Sequence, residues 1–331
     1  MKQIAVLGAG SWGTSLALLL TNKGYSVRLW SNEPGVIKDI DTNRVNSKYV
    51  PGIPFTGEIL AMESMADAVK GVEAVLMVVP SNAVREVATQ LSGVIDGDPL
   101  FINAGKGLES STGYRMSQVI AESIPAKADD LVVLSGPNLA IEIARQIPTA
   151  TVVASKNEER AFQAQELVNC HHLRAYRSSD VAGVEVCGSL KNVLAVGAGI
   201  CDGLGYGDNT KAAFVTRGLT EMMRLGEALG AKPKTFMGLA GVGDVMATCG
   251  SKLSRNLRVG MAIGRGLTLE QALAEVKQVA EGVHTCKAAY KIAASLNIYA
   301  PITEQLHEIL FNGKAPQSAV TDLMLREPKA E

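Results

Sequence analysis

The sequence predicts an α/β fold in which a doubly wound parallel sheet is followed by an all-helical domain. Three observations support this prediction. Short apolar runs alternate with amphipathic stretches through the first half of the chain, a glycine-rich turn follows the first apolar run, and strand-like runs stop near residue 180. With 331 residues, 47% of them hydrophobic, the chain is long enough for two domains that each bury a core.

Five short apolar runs in the first half are the predicted strands. Continuous apolar runs are typical of parallel strands that helices cover on both faces. The predicted strands are residues 4–7, 26–30, 74–79, 100–103 and 131–134. Amphipathic stretches at 14–23 and 81–91 predict helices between them. Residues 149–154 and 174–177 are candidates for two further strands, with a helix at 158–169 between them.

The pattern changes near residue 180. Long segments with helical apolar periodicity follow, at 181–202, 211–229, 254–264 and 302–311. Gly230, Gly266 and Gly313 stand where such helices would end. We therefore expect one α/β domain over residues 1–179 and an all-helical domain over residues 180–331.

The turn after the first predicted strand carries a nucleotide-binding pattern. Residues 8–13, Gly-Ala-Gly-Ser-Trp-Gly, match G-x-G-x-x-G between a predicted strand and a predicted helix. Gly8 permits the tight turn, Gly10 lets the backbone approach a pyrophosphate, and Gly13 lets the helix pack against the strand. An ordinary glycine turn is the alternative, but the context favours a Rossmann-type NAD(P)-binding domain. The predicted cofactor contacts here are Gly8, Gly10, Ser11, Trp12 and Gly13.

The end of the second predicted strand bears on the choice between NADH and NADPH. Enzymes that use NAD often carry Asp or Glu here, to hold the ribose 2′-hydroxyl, whereas Ser31 and Asn32 are neutral. Arg28 and Lys38 lie nearby in the sequence. Because no carboxylate would repel a 2′-phosphate, we expect either cofactor to bind, with NADPH slightly favoured and Asn32 as one contact.

Composition and charge argue against several classes of function. The formal net charge is −1 and the basic residues are dispersed, which does not favour a nucleic-acid or anionic-membrane partner. The five Cys and four His lack metal-ligand spacing, so we predict reduced thiols and no metal site. The apolar run before Gly8 is too short for a signal peptide, and no run of consecutive apolar residues approaches the length of a membrane span. We expect a cytoplasmic protein without a membrane span.

Two lysines are candidates for a reactive site. Lys191 lies in an otherwise apolar helical segment, where lysine is uncommon unless it is paired or used. It could exchange a proton with a carbonyl or alcohol oxygen, or it could extend its stem over the core and hold its ammonium in water. Lys106 lies between Gly105 and Gly107 after a predicted strand, where a ligand can approach closely; a solvated loop lysine is the alternative.

Three polar residues are candidates for positions near Lys191. Asn192 lies about 100° round the helix from Lys191 and could orient the ammonium or a substrate hydroxyl. Asp244 follows a glycine-rich turn and could bind a hydroxyl or hold Lys191, and Thr248, one helical turn later, could share its face. A surface turn and a helix cap are the alternatives for Asp244.

Residues 254–256, Ser-Arg-Asn, form a candidate anion site. Ser254 is suited to the N-cap of the following helix, so the helix N-terminus would face whatever Arg255 binds. A guanidinium, free amides and a hydroxyl together suit a phosphate monoester. A solvated basic loop is the alternative.

Five blocks of sequence, taken in order, resemble the bacterial-type NAD(P)-dependent glycerol-3-phosphate dehydrogenases. After the glycine turn, the blocks are NAGKGLE at 103–109, SGPNLA at 135–140, CGSLKNV at 187–193, and GVGD at 241–244 followed by SRN at 254–256. Five ordered blocks are far more specific than any one of them. The resemblance implies reduction of dihydroxyacetone phosphate to sn-glycerol 3-phosphate for glycerophospholipid synthesis.

The resemblance also implies roles for individual residues. Lys191 would be the general acid/base. The implied substrate site consists of Lys106, Gly136, Asn138, Lys191, Asn192, Asp244, Thr248, Ser254, Arg255 and Asn256. Beyond the glycine turn, the implied cofactor contacts are Asn32, Lys106, Ala140, Arg255, Val279 and Glu281. The family usually has Ser or Thr where this chain has Asn138, which leaves the contact at that position open.

Two other functions remain open at this point. A related Rossmann-plus-helical reductase of 2-keto or β-hydroxy acids would also use a helical Lys and Asn, but it needs a carboxylate site. A non-catalytic NAD(P)H sensor could keep the glycine turn without needing Lys106, Lys191, Asp244 and Arg255 together. The expected partner is a small phosphorylated substrate, and the apolar helical domain is compatible with a homodimer.

Overall fold

The computed structural model describes residues 2–277 and 279–328. Its backbone contacts divide the chain into two compact units. The first unit comprises Met1–Lys106 and Tyr114–Glu185, and the second comprises Gly107–Gly113 and Val186–Glu331. Each unit is described by itself below.

Eight strands form a single sheet in the first unit. They are β1 (Gln3–Leu7), β2 (Ser26–Trp30), β3 (Ile59–Met62), β4 (Ala74–Met77), β5 (Leu100–Asn103), β6 (Val132–Ser135), β7 (Thr149–Ala154) and β8 (Leu173–Ser178). Their order is β3-β2-β1-β4-β5-β6-β7-β8, and every neighbouring pair is parallel except β6 and β7. The strand order reverses between β1 and β4, and ligands of such sheets bind outside the carboxyl ends at this reversal.

Helices cover both faces of this sheet. They are α1 (Ser11–Asn22), α2 (Pro34–Asn43), α3 (Met65–Val69), α4 (Val84–Ser92), α5 (Met116–Ser123), α6 (Ala140–Ala144) and α7 (Glu158–Val168). Along β1, Ile4 and Val6 belong to one buried apolar cluster, whereas Ala5 and Leu7 belong to another. Alternate residues of a strand point to opposite faces, so a strand that contributes to two cores is apolar throughout. This explains why the continuous apolar runs predicted the sheet.

The predicted fold class is confirmed, with three differences of detail. The structure adds β3, an edge strand whose Leu60 is 48% exposed, and it pairs β7 antiparallel to β6. The fourth strand ends at Met77 rather than at residue 79, shortly before Pro80. Proline has no backbone N–H to give to a ladder, so the apolar run outlasts the strand.

Helices are the regular elements of the second unit, and no strand occurs among its described residues. A long helix, α8 (Val181–Gly203), begins in the first unit and continues into the second. The remaining helices are α9 (Asp208–Ala228), α10 (Pro233–Phe236), α11 (Asp244–Gly250), α12 (Arg255–Gly264), α13 (Leu269–Val276), α14 (Glu281–Ser295), α15 (Pro301–Phe311) and α16 (Pro316–Met324). Between α10 and α11, residues 239–243 form a short π-helical turn.

Glycines let α8 and α12 pack in direct backbone contact. A Cβ added at Gly199 would lie 2.1 Å from the carbonyl oxygen of Leu257, and one added at Gly260 would lie 1.9 Å from that of Val196. Any side chain at either glycine would push the two helices apart. This packing fixes the start of α12 against the middle of α8, where several predicted site residues lie.

The α8 helix is long and apolar enough, by length and composition alone, to cross a membrane. The apolar part of this helix is wholly buried inside the protein, as it is in the core helices of soluble proteins. The sequence analysis considered only runs of consecutive apolar residues and therefore did not single out this helix. Length and composition alone are weak evidence for a span.

Candidate functional site

The three glycines of the turn after β1 differ in what the fold requires of them. Gly8 has φ +112°, and a Cβ there would lie 2.7 Å from the carbonyl oxygen of Val78. A Cβ at Gly13 would lie 1.8 Å from the carbonyl oxygen of Gly8. Gly10 has an ordinary φ of −67°, and a Cβ there would meet nothing within 4 Å. The fold therefore needs Gly8 and Gly13, whereas the space beside Gly10 fits the approach of a ligand.

The N-terminus of α1 opens directly from this turn. Gly10 is its N-cap and supplies no side-chain cap, so the first amides of the helix remain available to an anion. The Ser11 hydroxyl donates to the carbonyl oxygen of Tyr49 at 3.1 Å. The indole Nε1 of Trp12 is buried and has no hydrogen-bond partner among the described residues. The five residues predicted at the cofactor are therefore brought together in one turn.

The basic residue nearest to the end of β2, Arg28, is engaged in hydrogen bonds within the first unit. The Arg28 guanidinium donates to the side chain of Gln3 and to the carbonyl oxygens of Asp67 (2.9 Å) and Lys70 (2.7 Å). These bonds hold the guanidinium beside β1 and α3. Ser31 is buried and accepts the Glu33 amide at 3.1 Å, while Asn32 is exposed. Arg28 is therefore not placed to serve a 2′-phosphate.

A carboxylate does follow β2, at Glu33, but it is already partnered. Its oxygens accept from the Lys48 ammonium and from the Tyr49 hydroxyl, the latter at 2.6 Å. The hydrogen bond from Lys48, followed by that from Tyr49, holds the pKa of Glu33 below its ordinary value. The sequence analysis did not select Lys48 or Tyr49, because no local pattern shows that the segment after α2 returns to β2.

The loop after β5 holds Lys106 close to Gly136. The buried Asn103 side chain exchanges two hydrogen bonds, each 3.2 Å, with the backbone of Gly105. A Cβ at Gly105 would lie 2.9 Å from the carbonyl oxygen of Val79, so the loop also requires this glycine. The Lys106 ammonium donates to the carbonyl oxygen of Gly136 at 3.1 Å. Two predicted substrate residues from separate blocks thus lie together in the first unit.

Asn138, the departure from the family pattern, is held by β7. Its Oδ1 accepts the Thr151 hydroxyl at 2.8 Å, and its Nδ2 donates weakly to the carbonyl oxygen of Ala150 at 3.4 Å. Two residues along, the carbonyl oxygen of Ala140 accepts the Ser15 hydroxyl at 2.7 Å, which ties the start of α6 to α1. Sequence reasoning could not identify Thr151, because only the sheet register brings it to Asn138.

Lys191 is the centre of the polar group in the second unit. It lies on α8, is 8% exposed, and donates to Asp244 Oδ1 at 2.6 Å and to Thr248 Oγ1 at 2.8 Å. Thr248 also donates to Asp244 Oδ1, at 3.2 Å, and Asp244 is 1% exposed. An ammonium has three protons to donate, and these two partners take two of them. Among the described residues, no further acceptor for the third proton is found.

Two asparagines join three helices, α8, α12 and α14, beside Lys191. Asn192 Oδ1, on α8, accepts from Asn256 Nδ2 at 2.9 Å, and Asn256 Oδ1, on α12, accepts the Gly282 amide of α14 at 2.9 Å. A Cβ at Gly282 would lie 2.4 Å from the carbonyl oxygen of Asn192, so these backbones are in close contact. The chain of hydrogen bonds fixes the N-termini of α12 and α14 next to the middle of α8.

The start of α12 has the geometry expected of an anion site. Ser254 is the N-cap, and its hydroxyl accepts the Leu257 amide at 3.3 Å. Arg255 is the first residue of this ten-residue helix, and Glu281 is the first residue of α14. Val279, just before α14, is 45% exposed. The arrangement places a guanidinium at the positive end of a helix dipole, which favours an anionic group.

All five cysteines of the chain are free thiols, and four of them are buried. In the described part of the chain, no group of three or more His, Cys, Asp or Glu residues could hold a metal ion. Burial raises the pKa of Cys201 to about 11 and those of Cys249 and Cys286 to about 12, so these side chains stay protonated at neutral pH.

Known proteins match the chain over its whole length. Residues 3–161 match the family described as NAD-dependent glycerol-3-phosphate dehydrogenase N-terminus, and residues 180–321 match its C-terminus. The chain is similar to a glycerol-3-phosphate dehydrogenase [NAD(P)+] of Geobacillus thermodenitrificans, with 47% identity over 332 positions, covering 100% of this chain and 97% of that protein. One of Pelotomaculum thermopropionicum is 49% identical, covering 98% of this chain and 93% of that protein.

Solved structures show the same family relationship. The crystal structure of a glycerol-3-phosphate dehydrogenase from Coxiella burnetii matches with a TM-score of 0.94 and 40% identity, covering 98% of this chain and 99% of that one. A ketopantoate reductase from Ralstonia eutropha matches with a TM-score of 0.60 and 15% identity, covering 96% of this chain and 99% of that one. The second likeness concerns the fold alone.

Proposed function

The chain belongs to the NAD-dependent glycerol-3-phosphate dehydrogenase family, and we propose that it reduces dihydroxyacetone phosphate to sn-glycerol 3-phosphate with NADPH or NADH. The observation that carries this proposal is the buried Lys191 ammonium, which donates to Asp244 and Thr248 and has no third acceptor in the described part of the chain. A carbonyl reduction needs a proton donor at the oxygen, and a fixed ammonium supplies one.

Lys191 is proposed to protonate the oxygen that becomes the C2 hydroxyl. When bound, the cofactor supplies a hydride to the C2 carbonyl carbon. Negative charge then develops on the oxygen, and the ammonium stabilises that charge before it gives up its proton. Asp244 orients the lysine, because its carboxylate accepts directly from Nζ. Asn192, fixed by Asn256, is proposed to orient a substrate hydroxyl.

Arg255 is proposed to anchor the substrate phosphate. It stands at the N-terminus of α12, where Ser254 caps the first turn, so guanidinium charge and helix dipole act on the same anion. Binding energy from this remote group fixes the orientation of the reacting carbonyl. Replacing Arg255 with Ala should raise KM for dihydroxyacetone phosphate by about 100-fold, consistent with loss of a charge-assisted hydrogen bond. An unchanged KM would remove Arg255 from the phosphate site.

The glycine turn of the first unit is proposed to bind the cofactor pyrophosphate. The space beside Gly10 and the start of α1, which no side chain caps, fit this group. The carboxylate of Glu33 accepts hydrogen bonds from Lys48 and Tyr49. A carboxylate whose charge is paired in this way is consistent with tolerance of a cofactor 2′-phosphate and a slight preference for NADPH. Ala140, Val279, Glu281 and Asn32 are further proposed cofactor contacts, and Lys106 is proposed to contact both ligands.

The cellular role is proposed from the family. Residues 1–179 would bind the cofactor and residues 180–331 would carry the catalytic lysine. Glycerol 3-phosphate is the backbone precursor of glycerophospholipids, so we propose that the protein supplies lipid synthesis from the cytoplasm.

The direct test is cofactor oxidation, followed by ultraviolet absorbance, with three substrates. Dihydroxyacetone phosphate should support turnover with NADPH, and with NADH at a somewhat lower kcat/KM. Unphosphorylated dihydroxyacetone should be a poor substrate, because it lacks the group proposed to bind Arg255. Activity on ketopantoate without activity on dihydroxyacetone phosphate would instead identify a keto-acid reductase. No turnover with any substrate, together with NADPH binding, would favour a sensor.

A further inference from the structure

We propose that Asn46 is a positioning residue that turns the Gly10 amide toward the cofactor pyrophosphate. The inference rests on the proposed NAD(P) site at the glycine turn and adds a residue outside that turn. Asn46 lies between α2 and β3, more than thirty positions from Gly10 in the sequence. It is a polar side chain with an exposed fraction of only 1%.

The Asn46 side chain donates two hydrogen bonds, one to the glycine turn and one to the first turn of α1. Its Nδ2 donates to the carbonyl oxygen of Ala9 at 2.8 Å and to Thr14 Oγ1 at 2.8 Å. Thr14 Oγ1 in turn donates to the same Ala9 oxygen at 3.1 Å. A carbonyl oxygen accepts two such bonds with its two lone pairs, so the direction of the Ala9 carbonyl is fixed from both sides.

The planarity of the peptide bond transmits this constraint to Gly10. In a trans peptide, the C=O of one residue and the N–H of the next point in opposite directions. With the Ala9 carbonyl held toward Asn46, the Gly10 N–H must point away from it. This amide has no acceptor among the described residues, and the space beside Gly10 is open. Its direction therefore matters for a ligand rather than for the fold.

The segment that carries Asn46 is itself bonded to the turn. The Asn46 carbonyl oxygen accepts the amides of Val50 (2.8 Å) and Tyr49 (3.3 Å), and the Tyr49 carbonyl oxygen accepts the Ser11 hydroxyl at 3.1 Å. The segment that contains Asn46 and Tyr49 is thus hydrogen-bonded to the glycine turn at Ala9 and at Ser11. A rigid turn pays less conformational entropy when a ligand binds.

The two hydrogen bonds that Asn46 donates depend on its side-chain amide. Both Nδ2 protons are used, while Oδ1 is buried without a hydrogen-bond partner among the described residues. Aspartate has nearly the same shape but no donor, and its oxygens would face the Ala9 carbonyl oxygen. The substitution Asn46→Asp therefore reverses the interaction while changing little volume.

The experiment compares cofactor binding and kinetics in the wild type, Asn46→Asp and Asn46→Ala. NADPH dissociation constants would come from calorimetry, and melting temperatures without cofactor from circular dichroism. Asn46→Asp should raise the Kd and KM for NADPH by about tenfold or more, the loss expected for one buried hydrogen bond. KM for dihydroxyacetone phosphate should change by less than about threefold, a split that general loss of structure would not produce. Asn312→Asp is the matched control, because its amide donates to the Glu308 carboxylate at 2.8 Å in the second unit, far from the glycine turn in the sequence.

A second variant separates this inference from the proposed site. Gly10→Val adds a side chain where the protein has open space, so the fold should persist while the approach of a pyrophosphate is blocked. If Gly10→Val binds NADPH as the wild type does, the proposed cofactor site is wrong and the Asn46 inference falls with it. If Gly10→Val loses NADPH while a folded Asn46→Asp or Asn46→Ala keeps wild-type affinity, only the Asn46 inference is overturned.

Hydrogen exchange in the wild-type protein provides a readout that needs no variant at position 46. The Gly10 amide should exchange readily without cofactor and become protected at saturating NADPH. Protection of this amide in the absence of cofactor would contradict the proposed orientation.

Discussion

A single lysine on α8 shows how a buried charge can be both stable and reactive. Removing an ammonium from water costs several kcal/mol, and a well-placed carboxylate recovers that cost only with good geometry. Asp244 Oδ1 lies 2.6 Å from Lys191 Nζ, and Thr248 bonds both groups. The ammonium is therefore held by two side chains in the core, and among the described residues no third acceptor competes with a ligand.

Replacing Lys191 with Met should lower kcat by about a thousandfold, the range expected when a general acid is lost. Met keeps the volume and the apolar stem but has no proton to give. Steady-state kinetics with saturating NADPH would measure kcat, and calorimetry would show whether the variant still binds the cofactor. A variant with near-wild-type kcat would refute the acid role.

Two controls distinguish lost chemistry from lost stability. Lys191→Met alone leaves Asp244 as a buried, uncompensated carboxylate, so the double variant Lys191→Met, Asp244→Asn removes both charges together. Lys211→Met is the matched surface control, because Lys211 forms a similar ion pair with Asp202 at 2.7 Å in the same unit. The double variant should regain stability and stay inactive, whereas Lys211→Met should stay active.

At the scale of secondary-structure elements, two buried glutamates cap helices that lie far away in the sequence. Glu185 accepts from the Arg115 guanidinium and the Ser117 amide, each at 2.7 Å, at the start of α5. Glu221, on α9, accepts the amides of Ile302 (2.8 Å) and Thr303 (2.7 Å) and the Thr303 hydroxyl (2.6 Å), at the start of α15. Each carboxylate satisfies amides that a helix leaves unpaired.

Glu221→Ala should lower the free energy of unfolding by about 3 kcal/mol, because it leaves two buried amides and a hydroxyl without their hydrogen-bond acceptor. Urea unfolding followed by circular dichroism would measure the loss. Thr303→Val removes only the hydroxyl and should cost about 1 kcal/mol. Equal losses from the two variants would show that the backbone cap contributes nothing.

The same residue should give the stability a defined pH dependence. Burial raises the pKa of Glu221 above its ordinary value of 4.5, more than the hydrogen bonds from Thr303 and Ile302 lower it. A raised folded-state pKa means that the folded protein binds the proton more tightly, so this contribution is complete below the unfolded pKa and is lost as pH rises through the folded one. The stability advantage of the wild type over Glu221→Gln should therefore shrink as the pH rises above the ordinary glutamate pKa. A constant or growing advantage would contradict the raised pKa.

At the scale of the whole molecule, the second unit exposes large apolar side chains that a single chain leaves in water. Leu296 and Tyr299 follow α14, and Met324 and Leu325 lie at the end of α16; each is between 49% and 80% exposed. Contiguous apolar surface favours association. We expect a homodimer, and light scattering at working concentration should give twice the mass of one chain. A monomer under those conditions would refute this expectation.

The sequence by itself determined the fold class and much of the candidate site. Apolar runs predicted the sheet because strands buried on both faces need apolar residues at every position. The glycine turn could be recognised because Gly8, Gly10 and Gly13 meet their requirements within six residues. Lys191 stood out because a lysine in an apolar helix is unusual, and Asp244 and Thr248 because their spacing puts them on one helical face.

The tertiary structure alone decided which side chains meet across long distances in the chain. Asn46 with Ala9, Thr151 with Asn138, and Glu221 with Thr303 are pairs that sheet register and helix packing create. Their residue types are common in loops and on helix surfaces, so no local pattern marks them. A hydrogen bond depends on atoms within about 3 Å, and neither composition nor periodicity encodes that distance between remote segments.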